Sequence, residues 1–379
     1  MSEDAAPALP RRLLIATNHL SVLRGSEVVA LETAEHFAAR GWHVTAYANW
    51  ASAPVSDRME AITGAPVVTD PNAIRPFTHD AAYIQHQVLG LFDYRACPED
   101  RAATFIAAGR LSRASYLESG GWLHDRVLVD HVFANSDLTA EHLALFGDDV
   151  PITNFRNAAP EAYFAPFRPK PPTPQRVLVV TNHADPALME AIRILRRSMT
   201  VEHLGATGDL WAPLTPDRIA GTDLVVSIGK TIPYAIAGRV PVYVYDHFGG
   251  PGYLDPATVE AAARANFSGR CCSRKLSGEA LAAEIGTHYG KGVAFARDVP
   301  QDWVDRYRLP RYLDRMLEPP RTDNAQKRRR MLDNPFLIQE RMLAAHVRQT
   351  YIRERRLVNE IAALEQRVRD SAERTSIEA

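Results

Sequence analysis

Cysteine is scarce in this chain. Cys97, Cys271 and Cys272 are the only three, too few for a disulfide framework, and adjacent cysteines rarely bridge each other without strain. A reducing compartment is expected. A charge excess of either sign is also missing, since 44 Lys and Arg face 45 Asp and Glu for a formal net of -1, so no global basic field draws the protein to nucleic acid. No apolar run approaches the roughly 18 residues that cross a bilayer. The opening MSEDAAPALPRR carries acidic residues where a signal peptide needs a basic region followed by an apolar one, so a cytoplasmic location is expected. The Gly-x-Ser-x-Gly elbow and the Gly-x-Gly-x-x-Gly dinucleotide fingerprint are both missing. No His or Cys pair has metal-ligand spacing and no Asp-x-Asp run holds a divalent ion, so neither a metal nor a resident cofactor is expected.

What the chain does have is core material for more than one domain. Its 379 residues are 46% hydrophobic and 23% charged, the balance of an ordinary multidomain globular protein. The segment RRLLIATNHL starts as an apolar strand, Leu13 to Ala16, and breaks into a polar loop at Asn18, His19 and Gly25. From Ser26 the apolar residues Leu31, Ala34 and Ala38 take helical spacing, Gly41 stands where a helix ends, and the strand HVTAYAN follows. Strand, loop, helix and strand in this order form the unit of a parallel sheet with crossover helices.

The same opening recurs as RVLVVTNHADPALMEAIRIL, with Thr181, Asn182 and His183 repeating Thr17, Asn18 and His19. Between the copies, APFRPKPPTP is too rich in proline for regular helix or central strand. The reading is therefore an α/β protein of two similar doubly wound domains, 1–165 and 176–300, joined by a linker at 166–175. A helical return segment follows at 301–335 and an amphipathic or coiled-coil helix at 336–379. Further strands are legible as AAYIQH, HVFAN and ITNFRN in the first half, and TVEHLG, DLVVSIG and PVYVYD in the second. In the last helix Leu343, Val347, Leu357, Ile361, Leu364 and Val368 form a seam broken at Thr350 and Glu354. It reads as a homodimer coiled coil or a docking helix, or as a single amphipathic helix on the protein's own surface.

Ligands on open α/β sheets collect beyond the carboxyl ends of the strands, which selects Asn18, His19, His86, Asn182, His183, Gly229, Lys230 and Asp246. Gly229, Lys230 and Thr231 open a helix after the strand at Leu224, where backbone N–H groups and an ammonium group suit a diphosphate. A kinase-type P-loop needs a second glycine where Leu224 stands. The alternative reading is a tight turn with Lys230 in solvent. After the next strand, DHFGGPGYL offers Asp246, Phe248, Gly249 and Gly250 as a second glycine-rich loop for a nucleotide, or as a plain turn plugged by Phe248. His86 ends a strand of the first domain and reads either as a base or hydrogen-bond partner for a sugar hydroxyl, or as a structural histidine. The basic run Lys327 to Arg330 reads as a contact with an anionic membrane surface or as a solvated cluster.

Over about residues 12 to 295 the chain resembles GT-B fold glycosyltransferases of the family-4-like group. SEVVALETAEHFAARGWHVTAYA resembles that family's first helix and second strand, after the Gly25 loop, and VDHVFANSDLTAEHL and FRNAAPEAYF resemble later segments. AIAGRVPVYVYDHFGG is similar to its Pro-Val strand and glycine turn, and the GKT and DHFGGPGY runs resemble a subgroup of bacterial polysaccharide glycosyltransferases. The resemblance implies two Rossmann-like domains facing a cleft, with a nucleotide-sugar donor on the C-terminal domain and a glycan or lipid-linked glycan acceptor on the N-terminal one. Gly25 would then approach the donor phosphates and His86 the transferred sugar. Val226 and Tyr234 stand where the family usually has two glutamates, and its basic pair is replaced by NHADPA, leaving Lys230 as the phosphate cation. The expected activity is sugar transfer to a surface polysaccharide or related glycan, at the inner face of the membrane. A noncatalytic scaffold of the same fold and a nucleotide-sugar epimerase are the alternatives.

Overall fold

The computed structural model describes residues 10–113, 117, 120–147 and 149–378, with backbone alone for the last eight; the acidic opening, residues 1–9, lies outside them. Six parallel strands, β1 (Arg12–Leu20), β2 (His43–Ala51), β3 (Ala81–Gln85), β4 (Phe105–Arg110), β5 (His131–Ala134) and β6 (Ile152–Asn154), form the first sheet in the order β2-β1-β3-β4-β5-β6. The second sheet contains β7 (Arg176–Val180), β8 (Thr200–Leu204), β9 (Leu224–Ser227), β10 (Val242–Asp246) and β11 (Gly249–Tyr253), in the order β11-β10-β9-β7-β8. Strand order reverses beside β1 in one sheet and beside β7 in the other, so each has a switch point where loops diverge and a crevice opens.

Both sheets are buried on two faces, as the continuous apolar strand runs require. In β1, Leu13 and Ile15 enter the core on one side while Leu14 and Ala16 enter the core on the other. In the second sheet Leu178, Val225 and Val242 face one core, and Val177, Leu224 and Tyr243 the opposite one. The Pro-rich stretch between Tyr163 and Arg176 contains no helix or strand.

The chain then returns to the first domain. Leu309, Leu313 and Met316 complete its core, and the C-terminal helix Leu337–Glu378 docks there through Leu337, Ala344 and Tyr351, each 8% exposed or less. Two doubly wound domains facing a cleft, with a C-terminal helical extension, are the GT-B arrangement expected from the sequence.

Several local expectations need correction. β1 does not break at Asn18 but continues to Leu20, because His19 and Leu20 pair with Trp50 and Ala51. DHFGGPGY is not an open loop. Gly249–Tyr253 is an antiparallel edge strand on β10, and its glycines are demanded by packing: a Cβ on Gly250 would stand 2.0 Å from the Val244 carbonyl oxygen. In the run Lys327 to Arg330, Lys327 is buried against Asp130 at 2.6 Å and Arg328 pairs with Asp100, so only Arg329 and Arg330 remain exposed. Among the described residues no helix is long and apolar enough to cross a membrane.

Candidate functional site

The carboxyl ends of the two sheets meet across a cavity of about 850 Å³, within the size range of small-molecule sites. From the first domain it is lined by His19, His86 and Gly25, the last opening the helix Gly25–Ala38. From the second it is lined by Asn182, His183, Gly229, Lys230, Thr231 and Asp246. Added Cβ atoms on Gly25 and Gly229 would meet open space, so a ligand can approach the backbone at both. Gly229 has a φ of +64°, which lets β9 turn sharply into the helix Thr231–Ala237. Phe248, Gly249 and Gly250 do not line the cavity. Phe248 is held between the His247 ring and the Arg270 guanidinium, 3.7 and 3.8 Å away.

His86 follows β3 in a left-handed conformation, φ +59°. Its carbonyl accepts a hydrogen bond from the buried Arg110, which forks onto the Asp125 carboxylate. The ring nitrogen Nδ1 lies 3.3 Å from the Asn18 amide and 2.9 Å from the Thr17 hydroxyl. An amide can only donate, so Nδ1 is an acceptor and the neutral ring carries its proton on Nε2. Burial, with His19 and Arg110 nearby, holds the imidazole well below its ordinary value. A neutral ring with this tautomer is a hydrogen-bond donor, which suits orienting a hydroxyl rather than deprotonating it. His86 stacks on His19, and His19 on Tyr351, at 5.2 and 5.6 Å.

Lys230, expected to face a diphosphate, points elsewhere. Its Nζ lies 2.8 Å from Glu32 Oε2 on the first domain's helix and 3.0 Å from the Ala158 carbonyl oxygen. Glu32 also accepts the Tyr234 hydroxyl. Burial outweighs the lysine and pushes the Glu32 carboxyl up from its ordinary value. The lysine is thus an ionic pin between the domains, set into the wall of the cavity.

Asp246 is buried at the end of β10 and reaches over β9 to accept from Thr181 Oγ1 at 2.7 Å, with His183 Nδ1 at 3.0 Å. Asn182 accepts the Ala206 amide at 3.0 Å and so fixes the loop after β8. In that loop Trp211 lines the cavity with 48% of its surface exposed.

No family model matches the chain, and no curated protein is similar to it. Solved structures are similar at low identity. A kitacinnamycin glycotransferase matches at 11% identity and TM-score 0.44, covering 83% of this chain and 100% of that one. A putative UDP-N-acetylglucosamine 2-epimerase from Listeria monocytogenes matches at 14% and 0.44, over 83% and 99%. A lipopolysaccharide outer core galactosyltransferase in its apo form matches at 12% and 0.39, over 75% and 98%. These names attach to those proteins, and the function of this chain has to be argued from its own residues.

Among the cavity residues that escape sequence reading are Glu32, Trp211, Tyr351 and Arg355. The first lies inside a helix that reads as a plain crossover. Trp211 sits in a loop without a motif, although an isolated tryptophan among prolines was a signal. Tyr351 and Arg355 enter from the C-terminal helix, far along the chain from the second sheet, which ends at Tyr253, and only the return of the chain brings them here.

Proposed function

We propose that the protein transfers a sugar from a nucleotide-sugar donor to a glycan acceptor. The observation that carries this reading is the cavity itself. It is shared by the strand ends of two doubly wound domains and offers an exposed aromatic platform, two open glycines and unsatisfied cationic groups. Trp211 provides the face on which the nucleobase stacks. Gly25 and Gly229 let the diphosphate approach the backbone.

Arg24 and Arg355 are the cations available to the diphosphate. Both line the cavity; Arg24 has no ion-pair partner among the described residues, and Arg355, whose guanidinium lies 5.4 Å from the centre of the Tyr351 ring, has Glu354 at 3.7 Å as its one ion-pair partner among them, with its Nε buried and without a hydrogen-bond partner. Arg58 and Lys230 are already matched by Glu35 and Glu32. As an acceptor hydroxyl attacks the anomeric carbon, the bond to the diphosphate oxygen breaks, the hydroxyl proton passes to the leaving diphosphate or to water, and the negative charge that gathers on the diphosphate is stabilised by fixed cations. His86 donates from Nε2 to a sugar hydroxyl and positions the ring. The acceptor, a surface polysaccharide or lipid-linked glycan in this reading, enters beside His19 and Tyr351. The exposed part of the C-terminal helix forms a homodimer.

Nucleoside diphosphate release from a panel of nucleotide sugars, with and without glycan acceptors, tests the proposal. Release that needs both donor and acceptor supports transfer. Conversion of donor alone would assign an epimerase, and no turnover of any donor would leave a scaffold.

A further inference from the structure

At the cleft end of the second sheet, three side chains from two distant segments converge. His183 follows β7, while Asp246 and His247 end β10, and β9 lies between the two strands. His183 Nδ1 stands 3.0 Å from Asp246 Oδ2 and His247 Nδ1 3.7 Å from Asp246 Oδ1. One ligand atom from each residue lies within 4.8 Å of the other two. The imidazole rings are 3.7 Å apart at an interplanar angle of 37°, so both nitrogens address the same carboxylate.

We propose that His183, Asp246 and His247 form a binding site for a divalent transition-metal ion. Two imidazoles and one carboxylate match the preferences of zinc-class ions, which bind nitrogen and oxygen ligands at about 2.0–2.2 Å. They do not match magnesium or calcium, which prefer shells of oxygen.

Two further features distinguish the cluster from a chance meeting of polar groups. The carboxylate is already oriented from outside the triad, by the Thr181 hydroxyl on Oδ2 at 2.7 Å and the His247 amide on Oδ1 at 2.8 Å, as outer hydrogen bonds orient metal ligands. In addition, His247 Nδ1 is buried without a hydrogen-bond partner, a cost that coordination removes. The ion would be reached from the cleft, since His183 and Asp246 both line the cavity. Ligand spacing along the chain gave no hint of it, because 63 residues separate His183 from Asp246.

The test needs no nucleotide, so it is independent of the sugar-transfer reading. Full-length protein is titrated with Zn²⁺, with Mg²⁺ as control, by calorimetry, and with Co²⁺ by visible absorption. The expected result is one Zn²⁺ per chain, a Co²⁺ ligand-field spectrum and no Mg²⁺ binding. His183→Gln and His247→Gln should each weaken Zn²⁺ by more than the roughly ten- to hundredfold that a lost outer-shell partner costs. His183 is half-exposed, so its variant should stay folded, which circular dichroism checks. No stoichiometric Zn²⁺ in the wild type, or unchanged affinity in both folded variants, would overturn the proposal.

Discussion

A lysine after a glycine at a strand end looks like a phosphate ligand, but what the side chain meets decides its role. Lys230 is 9% exposed and faces a carboxylate that is 7% exposed, so both charges have left water. Removing one partner of such a pair strands the other, which costs about 3–5 kcal/mol. Lys230→Met is expected to lose that much in urea denaturation, and Lys230→Met with Glu32→Gln to recover part of it. A loss below about 1 kcal/mol for the single variant would show that the pair is solvated. At this scale the sequence was partly legible. Strand-end logic brought His86, Asn182, His183, Gly229 and Asp246 to the cavity. It could not tell that Lys230 would be claimed by Glu32, because that contact spans nearly two hundred residues.

Among the elements, most strands could be read from their apolar runs, and the exceptions have physical causes. β4 reads FIAAGR, with small residues at its centre and a glycine at Gly109 that admits the Tyr83 ring, whose hydroxyl oxygen lies 2.2 Å from where a Cβ would be. β11 is glycine-rich for the same kind of reason, and in the sequence such close approach of backbones looks like an open loop. The last helix is two things in succession. Up to Tyr351 it docks on the first domain, through Leu337, Ala344 and Tyr351 rather than the Leu343 and Val347 of the expected seam. From residue 356 to 369 its side chains are exposed, which excludes a helix lying on the protein's own surface there. Leu357, Ile361, Leu364 and Val368 nevertheless keep coiled-coil spacing at 49%, 55%, 56% and 69% exposure. The full chain is expected to sediment as a dimer and Ile361→Lys with Leu364→Lys as a monomer; a wild-type monomer would contradict the seam.

The whole molecule has several histidines that folding keeps neutral. His79 lies just before the interior strand β3, between the Arg75 carbonyl, 3.2 Å from Nδ1, and the Thr45 hydroxyl, 3.3 Å from Nε2. Burial lowers its imidazole from 6.5 to about 4. Between those values the unfolded chain binds a proton that the folded chain does not, so stability falls as the pH falls and the slope ends below about 4. His79 alone accounts for about 3 kcal/mol of that loss, and the buried His86 adds to it in the same direction. Urea titrations across this window should show a shallower slope for His79→Gln than for the wild type; parallel slopes would exclude its part. The two-domain plan was legible from the repeated Thr-Asn-His opening and the proline linker. The return of the C-terminal helix into the cleft was not, since nothing local in a helix says which surface it will meet.

The central claim is that this cavity holds a nucleotide, and a thermal-shift titration of the wild type and Trp211→Ala against UDP, GDP, dTDP, CMP and ADP tests it most directly. A ligand that binds only the folded state raises the melting temperature with its concentration. The expected result is a rise selective for one base, weakened in Trp211→Ala by the roughly 1–3 kcal/mol that base stacking provides. No rise with any nucleotide, or an equal rise in both proteins, would contradict it.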